Sequence, residues 1–102
     1  MVMVGPGGAP HTFAPSMVTI HPGDTVQWVW QSPGHTVTSG TVKMGMGTAD
    51  NKFCSPSDMN CATAPTSTTG AMYSHTFTQA GMFPYYCRPH AGAGMIGTVV
   101  VQ

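Results

Sequence analysis

A short stretch near the end of the chain carries a thiol, an imidazole and a thioether within nine residues. Cys87, His90 and Met95 follow the spacing Cys-x2-His-x4-Met in the run Cys-Arg-Pro-His-Ala-Gly-Ala-Gly-Met. Sulfur and imidazole ligands select copper or zinc, whereas magnesium and calcium require oxygen ligands. The small residues before Met95 allow the loop to turn tightly enough to return the thioether to a metal. This stretch therefore predicts part of a metal site.

A second imidazole from elsewhere in the chain would complete the site. Two imidazoles and one thiolate in a trigonal plane, with a weak axial methionine, describe a blue-copper electron-transfer centre. His35 is the best candidate, because Gly34-His35-Thr36-Val37 resumes an extended run soon after an aromatic strand. His75 lies on a predicted strand and is the competing candidate. His11 and His21 have no comparable setting and are interpreted as surface or turn residues.

The elements that must position these residues are short strands. Turn signals recur along the chain, which contains 13 Gly and nine Pro. In residues 25–31, Val26, Trp28 and Trp30 share one face, as expected for a half-buried strand. About seven to eight strands at this spacing indicate an all-β fold, a β-sandwich or barrel with Greek-key connections. The other extended runs are predicted at residues 2–4, 16–21, 35–38, 73–78, 82–87 and 96–101.

Composition narrows the possible partners. The chain has 102 residues, the length of one domain, and we interpret residues 1–102 as a single domain. Three basic and three acidic residues give no net charge, so nucleic acid and anionic membranes are not expected partners. No apolar run approaches the ~18 residues of a membrane-spanning helix. No charged segment followed by an apolar stretch opens the chain, so we expect a mature form.

The chain contains three cysteines, so a single disulfide would leave one cysteine unpaired. Cys54 and Cys61 lie in a polar, proline-containing stretch, and we interpret them as a disulfide that leaves Cys87 free for chemistry. The alternative is two free thiols in a reducing cytosol. A disulfide would place the protein in an oxidising compartment, in the periplasm or outside the cell. It would also anchor residues 39–70, a long excursion that could include a short helix or an edge strand.

These features together resemble the plastocyanin-type cupredoxins, the small blue copper proteins. The run from Cys87 to Met95 is very similar to the copper loop of that family. The resemblance covers most of residues 13–102 and fails only in residues 39–70. The other matching segments are Pro22-Gly23-Asp24-Thr25-Val26 before Trp28, the isolated His35, residues 77–81, Pro84-Tyr85-Tyr86-Cys87 and Gly97-Thr98-Val99-Val100-Val101.

The resemblance implies a cupredoxin-like Greek-key sandwich that binds one type 1 copper ion. It implies that His35, Cys87 and His90 are the equatorial copper ligands and that Met95 is the axial ligand. Many members of the family carry Asn directly after the first ligand histidine, whereas this chain has Thr36. The hydrogen bonds around the thiolate are therefore expected to differ from the family pattern.

The function expected from this site is one-electron transfer between redox partner proteins, with copper cycling between Cu(I) and Cu(II). All four ligand positions belong to the protein, which favours a soluble electron carrier over an enzyme with a substrate site. By the resemblance, partners dock where the edge of His90 emerges through an apolar patch, and the carrier itself is expected to be a monomer.

Strand parity predicts that Phe83, Tyr85 and Cys87 face the core. Tyr86 then faces outward, where the family can use a tyrosine as a second electron route, but no acidic cluster accompanies it here.

Three alternatives are compatible with the sequence. A copper-binding or delivery protein would hold the metal as cargo, with loose affinity and easy exchange. A module of a larger oxidase or reductase would need a second metal site, and the His-x-His pairs of multicopper enzymes do not occur here. Zinc also binds cysteine and histidine, but a zinc site does not require an axial methionine ligand. Met44-Gly45-Met46, with Met59 and Met72 in the same region, also suggests Cu(I) shuttling, although exposed or gap-filling methionine is the commoner explanation.

Overall fold

The computed structural model describes residues 1–102, which form nine β-strands and one short 3-10 helix at Ala91–Ala93. No helix is long and apolar enough to cross a membrane. The strands are β1 (Val2–Val4), β2 (Phe13–Ala14), β3 (Met17–Ile20), β4 (Thr25–Trp30), β5 (Thr38–Lys43), β6 (Met46–Cys54), β7 (Met72–Thr76), β8 (Gly81–Tyr86) and β9 (Ile96–Val101).

The strands form two sheets, with the orders β2-β1-β4-β7 and β3-β9-β8-β5-β6. Neighbouring strands are antiparallel, except that β1 pairs with β4 and β3 pairs with β9 in parallel. The predicted all-β sandwich is confirmed. There are nine strands rather than seven to eight, because Phe13–Ala14 pairs briefly with β1 and the excursion supplies β6.

The core lies between the sheets, and the buried residues alternate with exposed ones along β4 as predicted. On β4, Val26, Trp28 and Trp30 are buried, while Thr25 and Gln27 are exposed. The Trp28 ring stacks between Phe53 and Tyr73, with centroid distances of 5.8 and 5.4 Å. The same core cluster includes Cys87 and Met95. Two of the candidate metal ligands, Cys87 and Met95, therefore lie in the close-packed core, where side chains have little freedom to move.

The excursion at residues 39–70 begins as a β-hairpin rather than as an irregular loop. β5 and β6 pair with Lys43 opposite Met46, so that residues 44 and 45 form a two-residue turn. A disulfide joins Cys54 and Cys61, as predicted, directly after the hairpin. The chain then returns to the sandwich, where Ser67 forms an isolated bridge with His35. The long segment is thus anchored at both ends.

Tyr86 faces away from the core, as strand parity predicts, but it is not exposed. Tyr85 and Cys87 belong to the core cluster, and Phe83 packs against it as a partly buried residue. Only 4% of the surface of Tyr86 is accessible to solvent, because β6 lies over its ring. A Cβ atom on Gly47 would come within 2.2 Å of that ring, so glycine is required at this contact. The hairpin therefore covers the surface on which an outward tyrosine would be accessible.

Candidate metal centre

Three side chains from separate parts of the chain converge at one end of the sandwich. Cys87 directly follows β8, His90 lies three residues further on, and His35 comes from the segment between β4 and β5. The Cys87 Sγ atom is 3.4 Å from His90 Nδ1 and 3.7 Å from His35 Nδ1. The two Nδ1 atoms are 3.2 Å apart. The structure therefore brings together the three residues that the sequence analysis selected.

These separations fit a metal ion at the centre of the group. Bonds of about 2.0–2.3 Å to nitrogen and sulfur, arranged in a trigonal plane, place the ligand atoms about 3.5–3.8 Å apart. The observed distances of 3.2–3.7 Å lie close to that range. A thiolate with two imidazoles also excludes ions such as magnesium and calcium, which require oxygen ligands.

The loop at residues 87–95, the metal loop, closes on itself through its backbone, which brings Met95 beside Cys87. The Cys87 N–H donates to the Met95 carbonyl at 3.0 Å, and the Met95 N–H donates to the His90 carbonyl at 3.3 Å. Gly94 has a φ angle of +81°, in the left-handed region that glycine adopts without strain. Met95 is fully buried, in the core cluster that also contains Cys87.

A serine that the sequence analysis missed determines how His35 presents its ring. The Ser32 hydroxyl donates its only proton to the Gly5 carbonyl at 2.7 Å. Its oxygen also lies 2.8 Å from His35 Nε2, so it must accept a proton from that nitrogen. His35 therefore carries its proton on Nε2 and directs the lone pair of Nδ1 toward Cys87. The signal in the sequence was a serine three residues before the histidine, within the turn Ser32-Pro33-Gly34.

Thr36 connects the His35 segment to the metal loop. Its N–H donates to Cys87 Sγ at 3.5 Å, and its hydroxyl accepts a hydrogen bond from the Arg88 N–H at 2.9 Å. The Arg88 guanidinium in turn donates to the Ala64 carbonyl at 2.6 Å. Thr36 thus bonds both to the sulfur atom of Cys87 and to the backbone of the metal loop. Arg88 packs against the excursion.

The local environment favours neutral imidazoles and a protonated thiol when no metal is bound. Burial, with the neighbouring His90 and His11 rings, lowers the pKa of His35. Burial and the nearby His11 ring also lower the pKa of His90. Burial raises the pKa of the Cys87 thiol above its usual value, although hydrogen bonds from Thr36 oppose this effect. A metal that binds the thiolate must therefore displace one proton, and both imidazoles are ready to coordinate.

His11 is an exposed turn residue, as interpreted from the sequence, but its ring also contacts a residue of the site. Its ring stacks on that of His90, with centroids 4.1 Å apart and an interplanar angle of 23°. His11 is exposed and lies on the turn between β1 and β2, which is closed by a hydrogen bond from the Gly5 N–H to the Thr12 carbonyl. No sequence signal indicated this contact, because the two histidines are far apart in the chain.

The competing candidate, His75, lies elsewhere in the structure. Its ring packs between Phe53 and Phe77, with centroid distances of 5.2 and 4.9 Å. Its Nδ1 atom is 3.4 Å from Asp58 Oδ2, and the other carboxylate oxygen, Oδ1, accepts a hydrogen bond from the Tyr73 hydroxyl. His75 is therefore not among the side chains that converge near Cys87.

The protein is a β-sandwich with two imidazoles, a thiolate and a thioether at one end. This fold and this set of ligands are those of a type 1 copper protein. The whole chain, residues 1–102, matches the family described as copper binding proteins of the plastocyanin/azurin family. The chain belongs to this family, and copper is its cofactor. The predicted resemblance to plastocyanin-like cupredoxins is thereby confirmed.

Individual relatives agree with this assignment. The chain is 36% identical over 103 residues to a plastocyanin of Scenedesmus fuscus, covering 99% of this chain and 97% of that protein. It is 38% identical over 95 residues to a plastocyanin of Nostoc punctiforme, covering 88% of this chain but only 64% of that protein.

Solved structures share the fold. A purple cupredoxin from Nitrosopumilus maritimus superposes with a TM-score of 0.69 at 22% identity, over 99% of this chain and 97% of that one. An amicyanin from Paracoccus versutus superposes with a TM-score of 0.63 at 27% identity, over 99% of this chain and 80% of that one. These neighbours confirm the cupredoxin-like sandwich.

Proposed function

We propose that the chain is a one-electron carrier in which copper cycles between Cu(I) and Cu(II). His35, Cys87 and His90, together with Met95, would hold the copper ion, which would supply the one-electron chemistry. The observation that carries this proposal is the convergence of the three nitrogen and sulfur atoms to within 3.2–3.7 Å of one another. Plastocyanin and amicyanin relatives support the same class of protein. Residues 1–102 act as one copper-binding domain.

Bound copper supplies the one-electron chemistry, and the protein supplies fixed ligand positions. Ser32 orients His35, the Thr36 N–H reaches Cys87 Sγ, and backbone hydrogen bonds close the metal loop. Because these contacts do not depend on the metal, they hold the ligands in one arrangement for both oxidation states, and little reorganisation accompanies electron transfer. The protein provides all four ligands, so a substrate has no free coordination position. This favours a carrier over an enzyme.

Redox partners dock at the face where His90 emerges. His90 is the only one of the four ligands that is not fully buried, and residues 89–102 contain no charged side chain. Gly92, Ala93 and Gly94 are exposed around it, whereas Ala91 is only 7% exposed and belongs to the interior. The metal loop therefore presents an uncharged, mostly apolar surface to the partner, and we expect docking there to depend little on electrostatic steering.

The Cys54–Cys61 disulfide supports a periplasmic or extracellular location, because disulfides persist in oxidising compartments.

Tyr86 does not provide a second docking site, since β6 covers its ring. We expect the carrier to work as a monomer that forms short-lived complexes with its redox partners.

The visible absorption spectrum tests the copper centre. Addition of Cu(II) to the purified protein is expected to produce a strong absorption of red light, which ascorbate removes and reoxidation restores. Copper binding without this absorption would contradict the thiolate–copper centre. In that case, a delivery protein that holds copper as cargo, with easy exchange to a chelator, would become the better description.

Electron self-exchange between two copies tests the docking face without requiring a known partner. We expect Ala93→Glu to lower the self-exchange rate about tenfold at low salt, because two like charges meet when the His90 faces approach. Added salt should restore much of the rate. The matched control is Met82→Glu, which places the same charge at an exposed residue on β8. Equal rates for the two variants would show that docking occurs elsewhere.

A further inference from the structure

The methionines of this chain are distributed unusually. Eight of the nine are at least 42% exposed, and only Met95 is fully buried. Methionine is normally among the residues most often found inside proteins, so a surface that carries most of them requires an explanation. Met44 is the extreme case, because its side chain is fully exposed at the tip of the β5–β6 hairpin. Met46, directly after the turn, is 75% exposed.

The backbone at Met44 is strained. Met44 and Gly45 occupy the two positions of the hairpin turn and have φ angles of +52° and +77°. A two-residue turn with both φ angles positive strongly favours Asn, Asp or Gly at its first position. Methionine is disfavoured in the left-handed region, because its Cβ atom crowds the following carbonyl oxygen. Backbone strain of this kind is concentrated at functional sites, which gives a reason to ask what the Met44 thioether does at the tip.

The tip lies directly against the metal loop. A Cβ atom on Gly45 would contact Gly92 Cα at 3.5 Å, and one on Gly92 would lie 3.7 Å from the Gly45 carbonyl oxygen. Gly92 is two residues from His90, within the exposed part of the loop. Met44 and Met46 therefore flank the face at which the copper centre approaches the surface.

Copper must also reach its ligands through the face at which His90 is exposed. His35, Cys87 and Met95 are buried, and His90 is the only partly exposed ligand. Thioether sulfur is a soft ligand that favours Cu(I). The Cα atoms of residues 44 and 46 are at most about 7 Å apart, since two residues span no more than that. Three rotatable bonds in each methionine side chain then allow both sulfur atoms to reach one ion.

We propose that Met44 and Met46 form a capture site for Cu(I), which passes the ion to the copper centre past His90. The inference rests on the proposed copper centre and adds its route of loading. Copper remains Cu(I) throughout. The bonds to the two thioethers break as bonds to imidazole and thiolate form, and the proton of the Cys87 thiol passes to water.

The rate of loading tests the capture site. The double variant Met44→Asn, Met46→Thr removes both thioethers, and it suits the fold because Asn is favoured in this turn and Thr in a strand. Metal-free protein is mixed with Cu(I), samples are oxidised with ferricyanide at intervals, and the red absorption is read. We expect loading to be about tenfold slower than in the unmodified protein, an effect comparable to the loss of outer contacts at a metal site. Loading with Cu(II) should be unchanged.

The matched control replaces two other exposed strand methionines, Met72→Thr and Met82→Thr, each of which is 66% exposed in the native chain. This control should load Cu(I) at the native rate. Equal Cu(I) rates for the tip variant and the control would overturn the capture site, as would an equal slowing with Cu(I) and Cu(II). Failure of the proposed function would be recognised differently, because the unmodified protein would then never develop the absorption.

Discussion

The chain contains two short loops that depend on sulfur, and they are stabilised in different ways. The disulfide loop, residues 54–61, is closed by a covalent bond between two buried cysteines. Its sulfur atoms pack in a small cluster with Ala64. The metal loop is closed only by backbone hydrogen bonds, and its buried cysteine faces two imidazoles.

The difference shows that neighbours, rather than burial, decide what a cysteine does. All three cysteines are almost completely buried, yet only Cys87 has nitrogen ligands within 4 Å. The disulfide loop needs only its own bond, whereas the metal loop depends on residues from another part of the chain, Ser32 and Thr36. Arg88 connects the two regions through its hydrogen bond to the Ala64 carbonyl. If this comparison is correct, changes in one loop should leave the other largely intact.

The largest effect is expected for Cys87→Ser. A serine hydroxyl is a hard, weakly acidic ligand, so the variant should lose the red absorption completely when Cu(II) is added. The disulfide should still form, and free-thiol titration together with circular dichroism would confirm a folded, thiol-free chain. Retention of the absorption would mean that another thiolate binds copper and would remove the distinction between the two loops.

The complementary change is the double variant Cys54→Ser, Cys61→Ser. A disulfide that closes eight residues contributes about 2.5 kcal/mol by restricting the unfolded chain. We therefore expect the free energy of unfolding, measured in urea, to fall by about that amount, while the absorption spectrum of the copper protein stays the same. A shifted or weakened absorption would show that the disulfide loop also positions the copper ligands.

Ser32→Ala tests the dependence of the metal loop on a distant segment. Without the Ser32 oxygen, His35 Nε2 loses its partner and the ring is no longer held in one tautomer and orientation. Copper affinity should fall by about 10- to 100-fold, as is usual when a residue that orients a metal ligand is removed. Competition with a chelator measures this, and Ser74→Ala, at an exposed position on β7, is the control. Unchanged affinity would mean that packing alone orients His35.

The smallest effect is expected for Arg88→Leu, which cuts the connection between the two loops. Loss of the hydrogen bond to the Ala64 carbonyl should cost about 1 kcal/mol in the free energy of unfolding. The backbone N–H of residue 88 remains able to bond to Thr36, so the absorption spectrum should not change. A change in the spectrum would show that the loops are coupled through this side chain.

The sequence alone predicted the features that depend on residues close together in the chain. The metal loop was recognisable because Cys87, His90 and Met95 lie within nine residues and the small residues between His90 and Met95 permit a tight turn. The core face of β4 followed from the alternation of Val26, Trp28 and Trp30. The odd number of cysteines led to the Cys54–Cys61 disulfide.

Features that join distant parts of the chain required the tertiary structure. Residue types left His35 and His75 as competitors, and the packing of the two sheets brought only His35 close to Cys87. The same packing set His11 on the His90 ring and placed β6 over Tyr86. It also brought the strained methionine turn against Gly92. Such contacts depend on strand register and on the angle between sheets, and a shift of one residue would turn each strand's side chains to its other face.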